Sequence, residues 1–209
     1  MLQLIGYKKY YGTRLVLESD QYTFQPGIHW VKGENGSGKT TLFKSLAGIL
    51  PFQGKIELND CSLKGQPNIY RLKVNYAEAE PVFPPMVKGS DLVSLFEKYK
   101  VARSGQAEEI TDVLDIKFLD ESFSSYSSGM GKKLSLLLAF LGQPKVILLD
   151  EPLVTLDVKS VSAMLELIAL YQRKYNTSFL ISSHQVFENG IIRADYVHQV
   201  ENGTLCSEV

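Results

Sequence analysis

The sequence predicts an α/β fold in which a parallel core sheet follows a small antiparallel sheet and is interrupted by a helical insertion. Three segments carry this prediction. Residues 33–40 form a glycine-rich loop between a strand-like apolar segment and an amphipathic, helix-like segment. Residues 146–151 form an apolar run that ends in two acids, as in strands buried on both faces of a sheet. Between them, residues 89–122 carry apolar residues at helical spacing.

The remaining elements follow from apolar runs and turn residues along the chain. Short antiparallel strands are predicted over residues 2–5, 15–17, 22–24 and 54–58, and the strand before the loop over residues 27–31. Core strands are predicted over residues 74–77, 146–149 and 179–181, helices over 41–47, 129–142 and 161–171, and a terminal hairpin over 196–203. Prolines exclude a regular element over residues 81–86.

The glycine-rich loop matches the pattern G-x-x-x-x-G-K-[ST], which binds nucleotide phosphates. Its glycines let successive backbone N–H groups point at phosphate oxygens, and the following helix N-terminus adds partial positive charge. Lys39 can reach the outer phosphates, and the Thr40 hydroxyl can ligate Mg²⁺. The predicted nucleotide-binding residues are therefore Gly33, Glu34, Asn35, Gly36, Ser37, Gly38, Lys39, Thr40 and Thr41.

Asp150 and Glu151 follow the apolar run 146–149. Because ligands gather at the carboxyl ends of parallel strands, we expect Asp150 beside the phosphate loop, where it can hold the hydration shell of Mg²⁺. Glu151 extends toward the γ-phosphate, where it can orient or deprotonate a water. Two acids alone also fit a solvated strand end, and the phosphate loop upstream favours the catalytic interpretation.

Composition narrows the classes of protein that the chain can belong to. Its 209 residues carry a net charge of −1, so we expect no nucleic-acid partner. Two distant cysteines make neither a disulfide framework nor a zinc cluster, which favours a reducing cytoplasm. The apolar runs are shorter than the ~18 residues that cross a bilayer, and the N-terminus lacks the order of a signal peptide.

Further motifs, in the correct order, resemble those of the ATP-binding-cassette ATPases over essentially the whole chain. Residues 126–134 occupy the place of the family signature L-S-G-G-Q and the helix after it. Residues 151–157 resemble the family's D-loop, and His184 resembles its switch histidine. Tyr11 resembles the aromatic residue that stacks on adenine, although Tyr7 and Tyr10 lie nearby and a tyrosine in a small sheet is often core.

This resemblance implies an ATPase that converts ATP and water to ADP and phosphate, with ATP and Mg²⁺ as cofactors. It implies a P-loop NTPase core with an antiparallel β subdomain, about 1–80 and 143–209, and a helical subdomain over 81–142, within one domain of residues 1–209. The implied catalytic residues are Glu151, His184 and Lys39, and the implied metal residues are Thr40 and Asp150. Ser127 and Gly129 are implied to meet the nucleotide of a second cassette, a homodimer partner or a paralogue, arranged head to tail.

Two of the chain's departures from the family pattern bear on its chemistry. Ser128 replaces a glycine of the signature, so its backbone lacks the φ > 0 freedom of glycine. Ala79 occupies the place of a glutamine that contacts Mg²⁺ and the attacking water. Alanine can do neither, and Glu78 or Glu80 could substitute for it.

Within the family, translation factors have two cassettes in one chain, and chromosome and repair proteins have a long coiled coil between the phosphate loop and the signature. This chain has one cassette and a short interval there, which favours a transporter subunit. We expect it on the cytoplasmic face of the inner membrane, docked on membrane-spanning permease subunits that are separate chains. The short length and residues 81–87 favour export over import. The rival interpretation is a soluble regulatory or assembly ATPase, for example in iron–sulfur assembly, and co-purification with a polytopic membrane protein would separate the two.

Overall fold

A computed structural model describes residues 1–183 and 192–207. The described chain contains ten strands and six α-helices: β1 Leu2–Tyr11, β2 Arg14–Phe24, β3 Ile28–Lys32, α1 Lys39–Leu46, β4 Gln53–Leu58, β5 Cys61–Ser62, α2 Pro67–Lys73, β6 Val74–Ala77, α3 Gly89–Lys100, α4 Gln106–Val113, α5 Ser128–Phe140, β7 Val146–Asp150, α6 Val158–Tyr175, β8 Ser178–Ser182, β9 Tyr196–Glu201 and β10 Thr204–Ser207. None of the described helices combines the length and the apolarity needed to span a bilayer.

The ten described strands form one mixed sheet in the order β5-β4-β1-β2-β10-β9-β3-β8-β7-β6. Strands β9, β3, β8, β7 and β6 are parallel, and β5, β4, β1 and β2 are antiparallel. β10 joins the two halves, since it is antiparallel to β9 and parallel to β2, where Thr204 lies opposite Glu18. The predicted parallel core, antiparallel N-terminal strands and helical insertion are confirmed.

The N-terminal strands are longer than predicted. The two predicted runs at 15–17 and 22–24 are one strand, β2, because it pairs with β1 from Tyr11–Arg14 at the turn to Leu2–Phe24 at the far end. This ladder keeps the polar residues between the runs in extended conformation. The sequence analysis also missed α2, which begins at Pro67, a residue suited to the first position of a helix.

Strand β7 is buried on both faces, as its apolar run predicts. Val146 and Leu148 belong to a cluster that includes α1 and the antiparallel strands. Ile147 and Leu149 belong to a second cluster that includes α5 and α6. Each fully buried side chain of this size contributes about 1.5–3 kcal/mol of hydrophobic stabilisation. This packing fixes the end of β7, where the two acids lie.

Helix α5 is attached to the core at its C-terminal end by two buried amides. Asn75 Nδ2 donates to the carbonyl oxygens of Ala139 (2.7 Å) and Leu141 (2.8 Å). Gln106 Nε2 donates to those of Phe140 (3.1 Å) and Gly142 (2.9 Å). The last carbonyl groups of a helix have no partners within it, so these bonds hold α5 against β6 and α4.

Candidate nucleotide-binding site

The predicted phosphate loop lies between β3 and α1, and two of its glycines are required by geometry. Gly33 has a φ of +152°, and a Cβ there would lie 2.5 Å from both Ser37 Oγ and the Val200 carbonyl oxygen. Gly38 is the N-cap of α1 and has a φ of 111°. Since glycine has no side chain, Gly38 makes no side-chain hydrogen bond to the first N–H groups of the helix. The first N–H groups of a helix have no partners within it, so the loop suits an anion.

Lys39 is nearly buried and lies across the loop. Its Nζ donates to the carbonyl oxygens of Gly33 (2.8 Å) and Glu34 (3.0 Å). Burial lowers the pKa of Lys39, and the nearby carboxylates of Glu151 and Asp150 partly oppose that shift. The structure thus brings the loop cation close to both acids that end β7.

Ser182, at the end of β8, orients both acids. Its hydroxyl donates to Asp150 Oδ1 (2.6 Å) and accepts from the backbone N–H of Glu151 (2.9 Å). Tyr76 donates to the other Asp150 oxygen, Oδ2, at 3.2 Å. Asp150 is 1% exposed, whereas Glu151 turns out of the strand with a φ of 44°, a conformation uncommon outside glycine.

A cleft of about 620 Å³ runs along the loop. It is lined by Tyr11, Arg14, Val16, Asn35, Gly36, Gly38, Lys39, Thr40, Thr41, Ala79, Glu80, Glu151 and Val154. The structure therefore brings Tyr11, the loop and Glu151 to one cleft, with Asp150 buried beside it. Sequence reasoning missed Arg14 and Val16, and their only signal was their position in the hairpin that carries Tyr11.

Two of the tyrosines near the N-terminus, Tyr7 and Tyr11, have different surroundings. Tyr7 is buried and donates to Ser45 Oγ at 2.9 Å, so it belongs to the core. Tyr11 is 53% exposed, and Lys9 Nζ lies 4.8 Å from its ring centroid. Tyr11 also lines the cleft, and its stacking on adenine stays a prediction.

The signature segment lines a different pocket, of about 400 Å³. Its described lining includes residues 127–130 and 155–157, and none from the loop 33–41. Ser127 is the N-cap of α5, and its Oγ accepts from the N–H of Met130 at 3.2 Å. A Cβ on Gly129 would lie 3.0 Å from the Thr155 carbonyl oxygen, so this glycine allows close packing.

The departures from the signature and from the glutamine have clear structural settings. Ser128 is the first residue of α5 and is not one of the described residues with positive φ, so a serine fits there without strain. Glu78 forms an ion pair with Lys44 at 3.5 Å. Ala79 and Glu80 are among the described residues that line the cleft, and Glu78 is not. His184 lies outside the described residues.

The described residues contain no cluster of three or more His, Cys, Asp or Glu side chains that could hold a metal ion by itself. Mg²⁺ in nucleotide sites takes one or two protein oxygens together with waters and phosphates. The Thr40 hydroxyl in the cleft and the oriented Asp150 carboxylate beside it are donors of this kind. The residues therefore fit a magnesium ion that arrives with a nucleotide.

Comparison with known proteins gives the chain its family. The sequence profile described as "ABC transporter" matches residues 17–154. The manganese transport system ATP-binding protein MntA of Synechocystis sp. is 32% identical over 189 residues, which cover 85% of this chain and 72% of MntA. The zinc import ATP-binding protein ZnuC of Rickettsia conorii is 26% identical, and the match covers 100% of this chain and 86% of ZnuC.

Solved structures agree on the fold. A structure of an ATP-binding subunit of an ABC transporter has a TM-score of 0.86 at 23% identity, and the match covers 100% of this chain and 89% of that subunit. A dimeric bacterial ABC transporter cassette has a TM-score of 0.87 at 18% identity, with 100% and 98% covered. Since the profile spans more than half of the residues and the phosphate loop has the geometry that it requires, this chain belongs to the ABC transporter family, as an ATP-hydrolysing, ATP-binding subunit.

Proposed function

We propose that ATP hydrolysis by this chain powers transport through membrane-spanning permease subunits on separate chains. The observation that carries the proposal is the single cleft lined by Lys39, Thr40 and Glu151, which combines a phosphate cradle with an acid. Relatives whose names state manganese transport and zinc import support the link to a transporter.

Each side of the cleft has a role in nucleotide binding. The adenine stacks on Tyr11, and the phosphates are bound by the N–H groups of the loop, by Lys39 and by the start of α1. Thr40 and Asp150 would hold Mg²⁺. When bound, the ion neutralises charge on the β- and γ-phosphates.

Glu151 acts on the water that attacks the γ-phosphate. It lines the cleft, and the Ser182 hydroxyl fixes the backbone from which it projects. A carboxylate there accepts a proton or a hydrogen bond from the water and so orients it for in-line attack. We assign His184 to the γ-phosphate as part of the same proposal.

Two cassettes complete each site. The signature pocket and the phosphate cleft are separate surfaces, so one chain does not place Ser127 and Gly129 on its own nucleotide. In a head-to-tail pair, the helix N-terminus of α5 in one copy meets the γ-phosphate held by the other copy. We infer that residues 81–142 form the helical subdomain that presents this surface.

An apolar groove supports docking of a permease. The groove, about 280 Å³, lies between β6, α3 and α5, and it includes Phe83, Phe96 and Leu138. Val82, which lines the groove, is 84% exposed, and Met86, in the same proline-rich segment of the chain, is 85% exposed. Exposed apolar residues at the rim of a groove mark protein–protein contacts. We therefore assign the permease contact to this groove. We also assign the chain to the cytoplasmic face of the membrane, a reducing compartment that agrees with the free thiols of Cys61 and Cys206.

Co-purification from membranes tests this function. The tagged chain should carry a polytopic membrane protein with it, and Met86→Asp should reduce that yield while the Kd for ATP stays unchanged. Recovery free of any membrane protein would favour the rival assembly or regulatory ATPase. Export stays a prediction, and the names of two relatives state import, of spermidine and putrescine and of zinc. ATP-driven substrate accumulation in inside-out vesicles would establish export.

A further inference from the structure

Lys132 lies in the first turns of α5 and is 0% exposed. A lysine ammonium group has three N–H donors and no acceptor. All three find backbone carbonyl oxygens: those of Glu78 at 2.8 Å, Ala79 at 3.0 Å and Asp150 at 2.9 Å. A buried cation is stable only when its donors are hydrogen-bonded, so these three bonds hold the Lys132 ammonium group and its acceptors in place.

These carbonyl groups belong to two segments at the hydrolytic site, the end of β7 and the residues that follow β6. The Asp150 carbonyl is half of the planar peptide group that leads into Glu151, so fixing it fixes the backbone orientation of Glu151. The carbonyls of Glu78 and Ala79 lie in the segment that follows β6, immediately before Glu80, which lines the cleft. Lys132 itself is on the helix that begins at the signature serine, Ser127.

The ammonium group also provides positive charge beneath an acidic surface. The carboxylates of Asp150, Glu151, Glu80 and Glu78 all act on Lys132 electrostatically. The side chain therefore joins the signature helix, the segment after β6 and the acid end of β7 at one point. Nothing in the phosphate-loop or signature patterns requires a lysine at this position.

We propose that Lys132 is a positioning residue for ATP hydrolysis, which holds Glu151 and residues 78–80 in fixed relation to the signature helix. Movement of α5, when its N-terminus meets a nucleotide, reaches Glu151 through this side chain. The inference rests on the hydrolytic role proposed for Glu151. Lys132 touches carbonyl groups of the backbone, so its effect on the reaction is indirect.

The test separates turnover from binding. Lys132→Met removes the three hydrogen bonds and the charge but keeps an unbranched side chain that is one atom shorter. We expect kcat to fall by roughly 10²-fold, the scale for misplacement of a catalytic group by about 1 Å. The Kd for ATP, measured by calorimetry, should stay within about threefold, because Lys132 donates to the ends of β6 and β7 and the loop supplies the phosphate-binding N–H groups. A wild-type kcat would overturn the proposal.

Lys100→Met is the matched control. Lys100 also donates to backbone carbonyls, those of Arg71 and Val74, at the start of β6 instead of its end. Burial lowers the pKa of each lysine to about 8. Because Lys100 also lines the apolar groove assigned to the permease, kcat is measured on the isolated chain. There the control should lose thermal stability as Lys132→Met does but keep its kcat. An equal loss of kcat in both variants would show that Lys132 contributes to stability alone.

A double-mutant cycle with Glu151→Gln distinguishes failure of this inference from failure of the Glu151 assignment. If Lys132 acts through Glu151, Lys132→Met should not reduce the residual rate of Glu151→Gln further. Additive losses would overturn the inference and leave Glu151 in place, whereas full activity of Glu151→Gln alone would overturn the assignment itself. If Lys132→Met does not fold, Lys132→Gln, which also removes the charge, is measured by the same criteria.

Discussion

His198 Nε2 lies 2.8 Å from His29 Nδ1, where β9 and β3 run side by side in the interior. The other ring nitrogen of His29, Nε2, lies 2.7 Å from the Gln25 carbonyl oxygen, and His198 Nδ1 lies 2.5 Å from the Tyr22 hydroxyl. A carbonyl oxygen only accepts, so His29 Nε2 carries the proton and His29 Nδ1 accepts from His198. Tyr22 then donates to His198, and both rings are neutral.

This pair predicts that acid destabilises the fold. Burial lowers the pKa of His29, although the bond to Gln25 and the nearby Asp195 oppose the shift. Burial and the neighbouring His29 lower the pKa of His198 to about 4. Both folded-state pKa values lie below the unfolded value of about 6.5. The contribution of these neutral histidines to the free energy of unfolding is therefore complete above pH 6.5, and it is lost as the pH falls from 6.5 toward the folded-state pKa values. Each proton changes the free energy of unfolding by about 1.4 kcal/mol per pH unit between its two pKa values.

Urea unfolding at a series of pH values measures this effect. The free energy of unfolding should be constant near pH 8 and should fall progressively below about pH 6.5. His198→Gln removes one titrating group, so its curve should be less steep between pH 6.5 and 4. The same steepness in both proteins would assign the acid sensitivity to carboxylates instead.

Lys39→Ala should weaken MgATP binding by more than about tenfold, because charge-assisted hydrogen bonds to the phosphates are lost. Calorimetric titration measures the Kd, and circular dichroism checks the fold. Lys44→Ala is the control: it lies on the same helix, and its described partner is Glu78, outside the cleft. Equal affinities for the two variants would refute the site assignment.

Glu151→Gln should lower kcat by ~10²-fold or more, the usual scale for loss of a general base, while ATP still binds. Glu80→Gln tests whether the acid beside Ala79 also contributes, and a smaller loss is expected there. Glu108→Gln, on the surface of α4, should match the wild-type rate. Turnover of Glu151→Gln close to wild type would contradict its role in the reaction.

ATP should bring two copies of Glu151→Gln together, and ADP should not, because the γ-phosphate supplies the contacts to the signature of the other copy. Sedimentation velocity with each nucleotide measures the mass. Adding Gly129→Asp should keep the chain monomeric while its Kd for ATP is unchanged, since Gly129 lies in the separate signature pocket. Equal masses with ATP and ADP would mean that the chain pairs with a different cassette.

Tyr11→Ala should weaken ATP binding by roughly tenfold, within the ~1–3 kcal/mol that stacking a base on an aromatic ring contributes. Tyr11→Phe keeps the ring and should bind as the wild type does. Calorimetry with ATP and with inorganic triphosphate separates base from phosphate contacts. A loss of triphosphate affinity as large as the loss of ATP affinity would exclude stacking as the cause.

The sequence by itself determined the features that depend on neighbouring residues. The phosphate loop was predictable because its backbone path needs glycine at fixed intervals, and Gly33 and Gly38 have those conformations. The apolar run of β7 and the acids after it were predictable because burial on both faces requires continuous apolar residues. Ser127 as the start of α5 follows from the preference of serine for the N-cap.

Only the tertiary structure decided which distant residues meet. A lysine next to another lysine, as Lys132 is next to Lys133, is expected at the surface from sequence alone. The side chain of Lys132 is buried because α5 packs against the ends of β6 and β7. His29 and His198 are far apart along the chain and become neighbours because β3 and β9 are adjacent. The separation of the signature pocket from the phosphate cleft is likewise a matter of packing, since long-range contacts leave no trace in local propensity or periodicity.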